Sequence, residues 1–232
     1  MKIGETAGAN PAPHLPAFKA AGVNVVHEAV AVRHALKAER LGVDAISIDG
    51  FECAGQSGDD DVPGLVLVPA AARPLSIPVI ASGGIATGAG LVAALALWAS
   101  AVNMGTRFVT TTEAPVHENV KRQIVANDER ASQVVLREFH NTARVARNSV
   151  SEQIVEISRR PGATSADVAE LASGARGRSA VLRDGVMEGG MRWAGQSQGL
   201  VDEVASCADV VRSIVDEAEE LLGKTLPAVL GG

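Results

Sequence analysis

The chain has 232 residues, of which 47% are apolar and only 3% aromatic, and it carries a formal net charge of -6. Its length suits one buried core, with or without an appended subdomain. The acidic balance and the lack of any Tyr leave neither a basic footprint nor a stacking platform, which argues against nucleic acid as a partner. Cys53 and Cys207 are too far apart in sequence for a CxxC motif, so neither a disulfide framework nor a metal site is expected. The opening MKIGETAGANPAP has no apolar stretch of signal-peptide length, and the expected compartment is the cytoplasm.

Short apolar or β-branched runs at 2–6, 23–27, 45–48, 79–81 and 102–108 read as buried strands. Helix-like stretches lie at 14–21, between the first two runs, and then at 32–41, 62–72 and 90–99. This alternation predicts an α/β fold with parallel strands. From Pro74 to Thr106 there is no charged residue or histidine, yet the window is no membrane span. Pro78 and five glycines divide it, and its longest apolar run, LVAALALWASAV, is shorter than the roughly 20 residues a span needs. Beyond Phe108 the sequence becomes charged and helix-forming. Helices are expected near 116–127, 151–159, 165–172 and 209–222, with no further strand.

The predicted strands end in GETAG, HEAV, DGFECAGQSGDDD, ASGGI and NMGTRF, which form strands poorly and suit a binding site. In a parallel α/β sheet these carboxyl ends face the ligand. Ser82, Gly83 and Gly84 end one strand, and Gly105 and Thr106 end the next. Their N–H groups are expected to converge on a phosphate at a helix N-terminus, as after the last two strands of a TIM barrel. Asp59, Asp60 and Asp61 are consecutive, so their carboxylates diverge, and a solvated face or helix cap is expected rather than a metal. Cys53 is expected to be packed, and the histidines to be structural or superficial.

Together, ETAGANP, VRHALKAERLGVDAISIDGFECAG, DDDVPGLVLVPAAA, IPVIASGGIATGAGLVAALAL, NMGTRFVTTTEAPVHENVK and NTARV closely resemble the nitronate monooxygenase family, formerly called 2-nitropropane dioxygenases. The resemblance runs from about Lys2 to about Leu222. It implies an FMN-dependent TIM barrel with a helical region over the active site, oxidising alkyl nitronates with O2 to carbonyl compounds and nitrite. The implied partners are a small nitronate or nitroalkane and O2, with no nucleic acid and no membrane. The implied cofactor contacts are Ser82, Gly83, Gly84, Gly105, Thr106, Glu28 and Gln196.

Three departures from the family pattern shape the expectations. A barrel of about 250 residues spends roughly 31 per βα unit, so the sequence up to Phe108 holds only about five strands. We therefore expect an N-terminally truncated member: an incomplete TIM-barrel-type parallel sheet with a helical C-terminal region, and an open edge at the first strand that favours self-association. The expected division is 1–112 for the partial FMN-binding barrel, 113–190 for a helical substrate or lid region, and 191–232 for a C-terminal helix returning to the barrel. Second, Gln56 stands where the family carries its catalytic histidine. Glutamine holds no proton near neutral pH, so a nitronate is expected to react in preference to a neutral nitroalkane. Third, Glu28 replaces a family lysine, and Trp98, Ala99 and Ser100 replace a glycine-rich turn. An anion beside a phosphate-bearing cofactor predicts weakened binding. The alternatives are an inactive or cofactor-free remnant of the family, or a barrel for another phosphorylated ligand.

Overall fold

The structure, a computed structural model, describes residues 2–231. Five strands, β1 (Lys2–Thr6), β2 (Val23–Ala29), β3 (Ala45–Asp49), β4 (Val79–Ser82) and β5 (Ala101–Asn103), pair in parallel in the order of the sequence. Helices α1 (Leu15–Ala20), α2 (Val32–Leu41), α3 (Gly64–Ala72) and α4 (Gly88–Ala96) connect them. The result is the expected curled half-barrel, with β1 and β5 at its edges.

Strand side chains alternate between the two faces of a sheet, and that alternation sets the core. Val25, Ile46, Ile48, Val79 and Ala81 face the helices and pack with Ala35, Ala38, Leu67, Ala71 and Ala94. Each fully buried aliphatic side chain contributes about 1.5–3 kcal/mol. Small residues on α2 and α4 let the helices lie close to the sheet. Gly42, at φ 94, ends α2 by donating to the carbonyls of Ala38 and Glu39, a left-handed cap that favours glycine. The opposite, concave face of the sheet carries the other register set and forms the site.

Two expectations after Ser82 need correction. The run at 102–108 is not one strand. β5 stops at Asn103, and Thr106–Val109 forms a short helix, α5. Arg107 on α5 is buried and donates to Thr110 Oγ1 at 3.0 Å, an arrangement that a continued strand would not give. The second region also contains strands. After α6 (Glu118–Ala126), β6 (Ser132–Val135) and β7 (Ala143–Ala146) form an antiparallel ribbon. Four-residue strands flanked by charge give too short a pattern for period-two alternation to be recognised. The chain reverses between them at Leu136 and His140, both in the left-handed region.

α7 (Ser149–Ser158), opened by an Asn148–Ser151 capping box, packs Val150 and Ile154 against the ribbon's Val135 and Val145. The short helices α8 (Ser165–Val168) and α9 (Gly174–Arg176) follow. α10 (Cys207–Glu220) then returns to the barrel and packs along α4. Its buried Val210, Ile214 and Ala218 recur once per turn. A Cβ at Gly88 would come within 2.5 Å of the Ile214 carbonyl oxygen, so only glycine permits that contact. No described helix is long and apolar enough to cross a membrane.

Candidate functional site

The strand register sets out the concave face. Glu5 on β1, Glu28 on β2, Ser47 and Asp49 on β3, Ser82 on β4 and Asn103 on β5 share it, because Glu28 stands opposite Ser47, Asp49 opposite Ser82 and Ser82 opposite Asn103. Above this row, at the carboxyl ends of the strands, lies an open cavity of about 730 Å³. That is within the usual range for small-molecule sites. All five strand-end loops line it, and Thr142 and Trp193 reach it from the second region.

The cavity brings together Glu28, Gln56, Ser82, Gly83, Gly84, Gly105 and Thr106. It does not include Gln196, whose backbone N–H donates to the Glu52 carbonyl at 3.0 Å, although its neighbours Gly195 and Ser197 line the wall. The two glycine turns differ in kind. At Gly83, φ is 87° and an added Cβ would lie 2.8 Å from Cys53 Cβ, so this glycine admits the loop after β3. At Gly105 an added Cβ meets nothing within 4 Å, so its Cα faces open cavity. Among the described residues, the backbone N–H groups of Gly83, Gly84, Gly105 and Thr106 have no acceptor. They are available to an anion.

Of the two helix N-termini beside these turns, Gly105 and Thr106 open α5 with free donors, whereas that of α4 is already engaged. Glu217, from α10, accepts from the N–H groups of Gly88 and Ala89 at 2.7 and 3.2 Å. A carboxylate there satisfies the first-turn donors of α4 and its dipole, so the free donors are those of the turns themselves.

Gln56 is exposed at the cavity mouth, and its Nε2 donates to Asn141 Oδ1 at 2.8 Å. Its loop is held from the second region: Gly55 and Arg144 exchange backbone hydrogen bonds, and the Arg144 guanidinium lies 4.3 Å over the Phe51 ring. Glu52 in the same loop accepts from Gly64 N–H at 2.9 Å, fixing the start of α3. Sequence reasoning missed Arg144, although the NTARV motif contains it. Cys53 is buried, and burial pushes its thiol up to about 12, so it is a packed side chain and no nucleophile. Asp60 pairs with Arg33, Asp61 with Arg137, and Asp59 accepts from Thr142. The three carboxylates thus diverge.

Electrostatically, the site divides. Burial and the neighbouring carboxylates of Asp49 and Glu5 raise Glu28 to about 7, and burial raises Asp49 to about 6. Glu28 belongs to β2 and the free N–H groups to the ends of β4 and β5, two and three strand spacings away, or about 10 Å and more. It lines the same cavity without adjoining the anion-binding turns. His27, its sequence neighbour, lies on the other face of the strand, 2.8 Å from Thr6 Oγ1, and burial lowers its pKa.

The nitronate monooxygenase family model matches residues 3–217. The chain belongs to the nitronate monooxygenase family. It is similar to a nitronate monooxygenase of Paraburkholderia phytofirmans, with 31% identity over 88% of this chain and 58% of the relative. It is also 42% identical, over 47% of its length and 30% of the relative, to a (3aS,4S,5R,7aS)-5-hydroxy-7a-methyl-1-oxo-octahydro-1H-indene-4-carboxyl-CoA dehydrogenase of Rhodococcus jostii. Among solved structures, FabK from Thermotoga maritima superposes with a TM-score of 0.91 at 33% identity, covering 98% of this chain and 71% of that one. The chain thus spans less than two thirds of the length of these two curated relatives. The matched family is one of flavin-dependent oxidoreductases. The site suits a flavin: Gly105 leaves a cradle that a Cβ would enter, beside two turns with free N–H donors.

Proposed function

We propose that the chain is an FMN-dependent oxidoreductase that converts alkyl nitronates to a carbonyl compound and nitrite with O2. The observation that carries this reading is the meeting of two turns with free N–H donors, Gly83–Gly84 and Gly105–Thr106, at one cavity on the carboxyl ends of the strands. These turns would hold the phosphate of FMN. Bound flavin supplies the redox chemistry, while the protein supplies position and field. Gln56, anchored by Asn141 at the mouth, would orient the nitronate oxygens by hydrogen bonding. Gln196 would act through its backbone, holding Gly195 and Ser197 against the cavity. On this reading residues 1–112 hold the cofactor, 113–190 cover the substrate and 191–232 return to brace the barrel. The edge of β1, where Ile3 is 59% exposed, would mediate self-association, which light scattering on the eluting protein tests.

The test of function is optical. Purified protein should take up FMN with a perturbed flavin spectrum and consume O2 with a nitronate such as ethyl nitronate, releasing nitrite. Protein that leaves the FMN spectrum unperturbed at millimolar cofactor would overturn the reading in favour of a cofactor-free family remnant. A second reading, dehydrogenation of a carboxyl-CoA thioester, is favoured by the 42% identity to the Rhodococcus protein. Reduction of bound FMN by an acyl-CoA, but not by nitronate, would select it.

A further inference from the structure

The concave face holds carboxyl chemistry that cofactor binding leaves unused. Glu28 on β2 and Asp49 on β3 project from the same face, one diagonal step apart, with Ser47 directly opposite Glu28. Asp49 is 9% exposed, and its Oδ1 has no hydrogen-bond partner among the described residues. Independently of the carboxylates, the Ser47 hydroxyl is 1% exposed and likewise unpartnered. Leaving such a group unsatisfied costs about 1–3 kcal/mol, so this corner of the concave face, where Glu28 and Asp49 line the cavity, holds unspent pairing capacity.

The surrounding groups do not neutralise the pair. Glu5 on β1 adds a third carboxyl, and Glu52, in the loop after β3, is engaged by Gly64 N–H. The Cys53 thiol is neutral, and Arg144 donates from Nε to the Phe51 carbonyl and from Nη1 to Ser132 Oγ, its Nη2 having no partner among the described residues. On α2, His34 and Lys37 are exposed at the cavity's outer wall, and His140 and Asp59 stand at the opposite rim.

We propose that the Glu28–Asp49 pair is the proton-exchanging group of this site and accepts the α-hydrogen of a neutral carbon acid, a nitroalkane, work that Gln56 cannot do. The inference rests on the nitronate reading above and extends the substrate class to the protonated form. A carboxylate oxygen of Glu28 takes the proton. The C–H bond breaks, an O–H bond forms, and the electron pair remains on the substrate as the nitronate anion. Asp49 is a positioning residue here: its charge keeps the proton affinity of Glu28 high, and the unpartnered Ser47 hydroxyl stands opposite Glu28 in the register. With Glu28 near 7 and Asp49 near 6, the pair titrates where a general base works best at neutral pH.

Exchange of the α-hydrogens of nitroethane in D2O, followed by proton NMR with FMN-saturated protein, tests this without requiring oxidation. We expect catalysed exchange that rises with pH through a midpoint near 7. Glu28→Gln should lower it by about 10²-fold or more, Glu28→Asp should restore part of it, and Asp49→Asn should move the midpoint down. Infrared difference spectra should show a carboxylic-acid carbonyl band titrating near pH 7 in the parent and lost in Glu28→Gln. Unchanged exchange in a folded Glu28→Gln protein, or a Glu28 carboxyl titrating in the ordinary range, would overturn the proposal. Catalysed exchange without nitronate oxidation would uphold the proton role while the oxidase reading fails. Nitronate oxidation with exchange indifferent to Glu28 would do the reverse.

Discussion

At the β4–β5 end of the sheet the strands finish in glycine turns with free N–H groups, whereas at the β1–β3 end they finish in Glu5, Glu28 and Asp49. Neutral backbone donors suit an anion without a counter-ion, and clustered carboxyls suit a proton. On the proposed reading the two halves of one cavity take separate tasks, holding a phosphate and exchanging hydrogen, with Glu28 about two strand spacings, or 10 Å, from the donor turn of β4 and Asp49 between them, opposite Ser82.

The largest effects are expected at the two glycines of the donor end. In Gly83→Ala, a left-handed residue gains a Cβ 2.8 Å from Cys53. Backbone strain and overpacking together should cost about 3 kcal/mol, lowering Tm by roughly 6–12 °C for a chain of this size, with FMN binding lost. Gly105→Ala adds its Cβ into open space and should leave Tm within about 2 °C while raising the FMN Kd about tenfold or more, some 1.4 kcal/mol. Thermal melts and flavin titrations of both variants check this. Equal effects at the two positions would mean that both turns are structural.

At the mouth, Gln56→His sharpens the division of labour. A histidine there adds a base of ordinary pKa near 6.5. General-base catalysis is worth about 10²- to 10⁴-fold where none exists. Because the carboxyl pair already exchanges protons, nitroalkane oxidation should rise only about tenfold, and nitronate oxidation should stay unchanged. A nitroalkane gain at the upper end of that range, with the steady-state rate on nitronate unchanged, would show that the parent site lacks a base.

How far this arrangement was legible in the sequence depends on the region. The half-barrel's strands are short but repeat with helices between them, so the alternation places all five, and the ASGGI and MGTRF turns mark the donor end. The ribbon escaped because Ser132–Val135 and Ala143–Ala146 offer only four residues each, and its stability comes from packing on α7. The role of Glu217 was also hidden, since a helix cap supplied from 129 residues away leaves no local pattern. The carboxyl pair was legible only in part: Glu28 stood out as an exchanged charge, but its partnership with Asp49 depends on strand register. A one-residue slip in that register would put one of them on the other face.

That register carries a pH signature of its own. Asp49 is raised to about 6 from an ordinary value near 3.8, so the folded state binds its proton more tightly than the unfolded chain does. The stability linked to this proton is complete below about pH 4 and is lost as pH rises through about 6. Asp49→Asn removes the loss. Relative to the parent, it should gain on the order of 2 kcal/mol between pH 4 and pH 8, read as a difference in Tm of roughly 4–8 °C. A pH-independent difference would mean that Asp49 is charged throughout and paired in some other way.

The smallest expected effect concerns Glu28 and the cofactor. An anion adjoining the phosphate would make Glu28→Lys a large improvement, but Glu28 lies on β2 and the free donors on β4 and β5. At pH 7 its charge is also only partly developed, because its pKa is raised to about 7. A separation of about 10 Å is close to the Debye length at 0.1 M salt. Coulombic interaction across such a gap in a solvent-open cavity is worth on the order of 0.5–1 kcal/mol. Glu28→Lys should therefore tighten FMN binding about three- to fivefold at low salt, and by less than twofold near 0.5 M. Flavin titrations at the two ionic strengths measure this directly. A gain of a hundredfold, or one indifferent to salt, would place Glu28 against the phosphate and merge the two ends of the site into one.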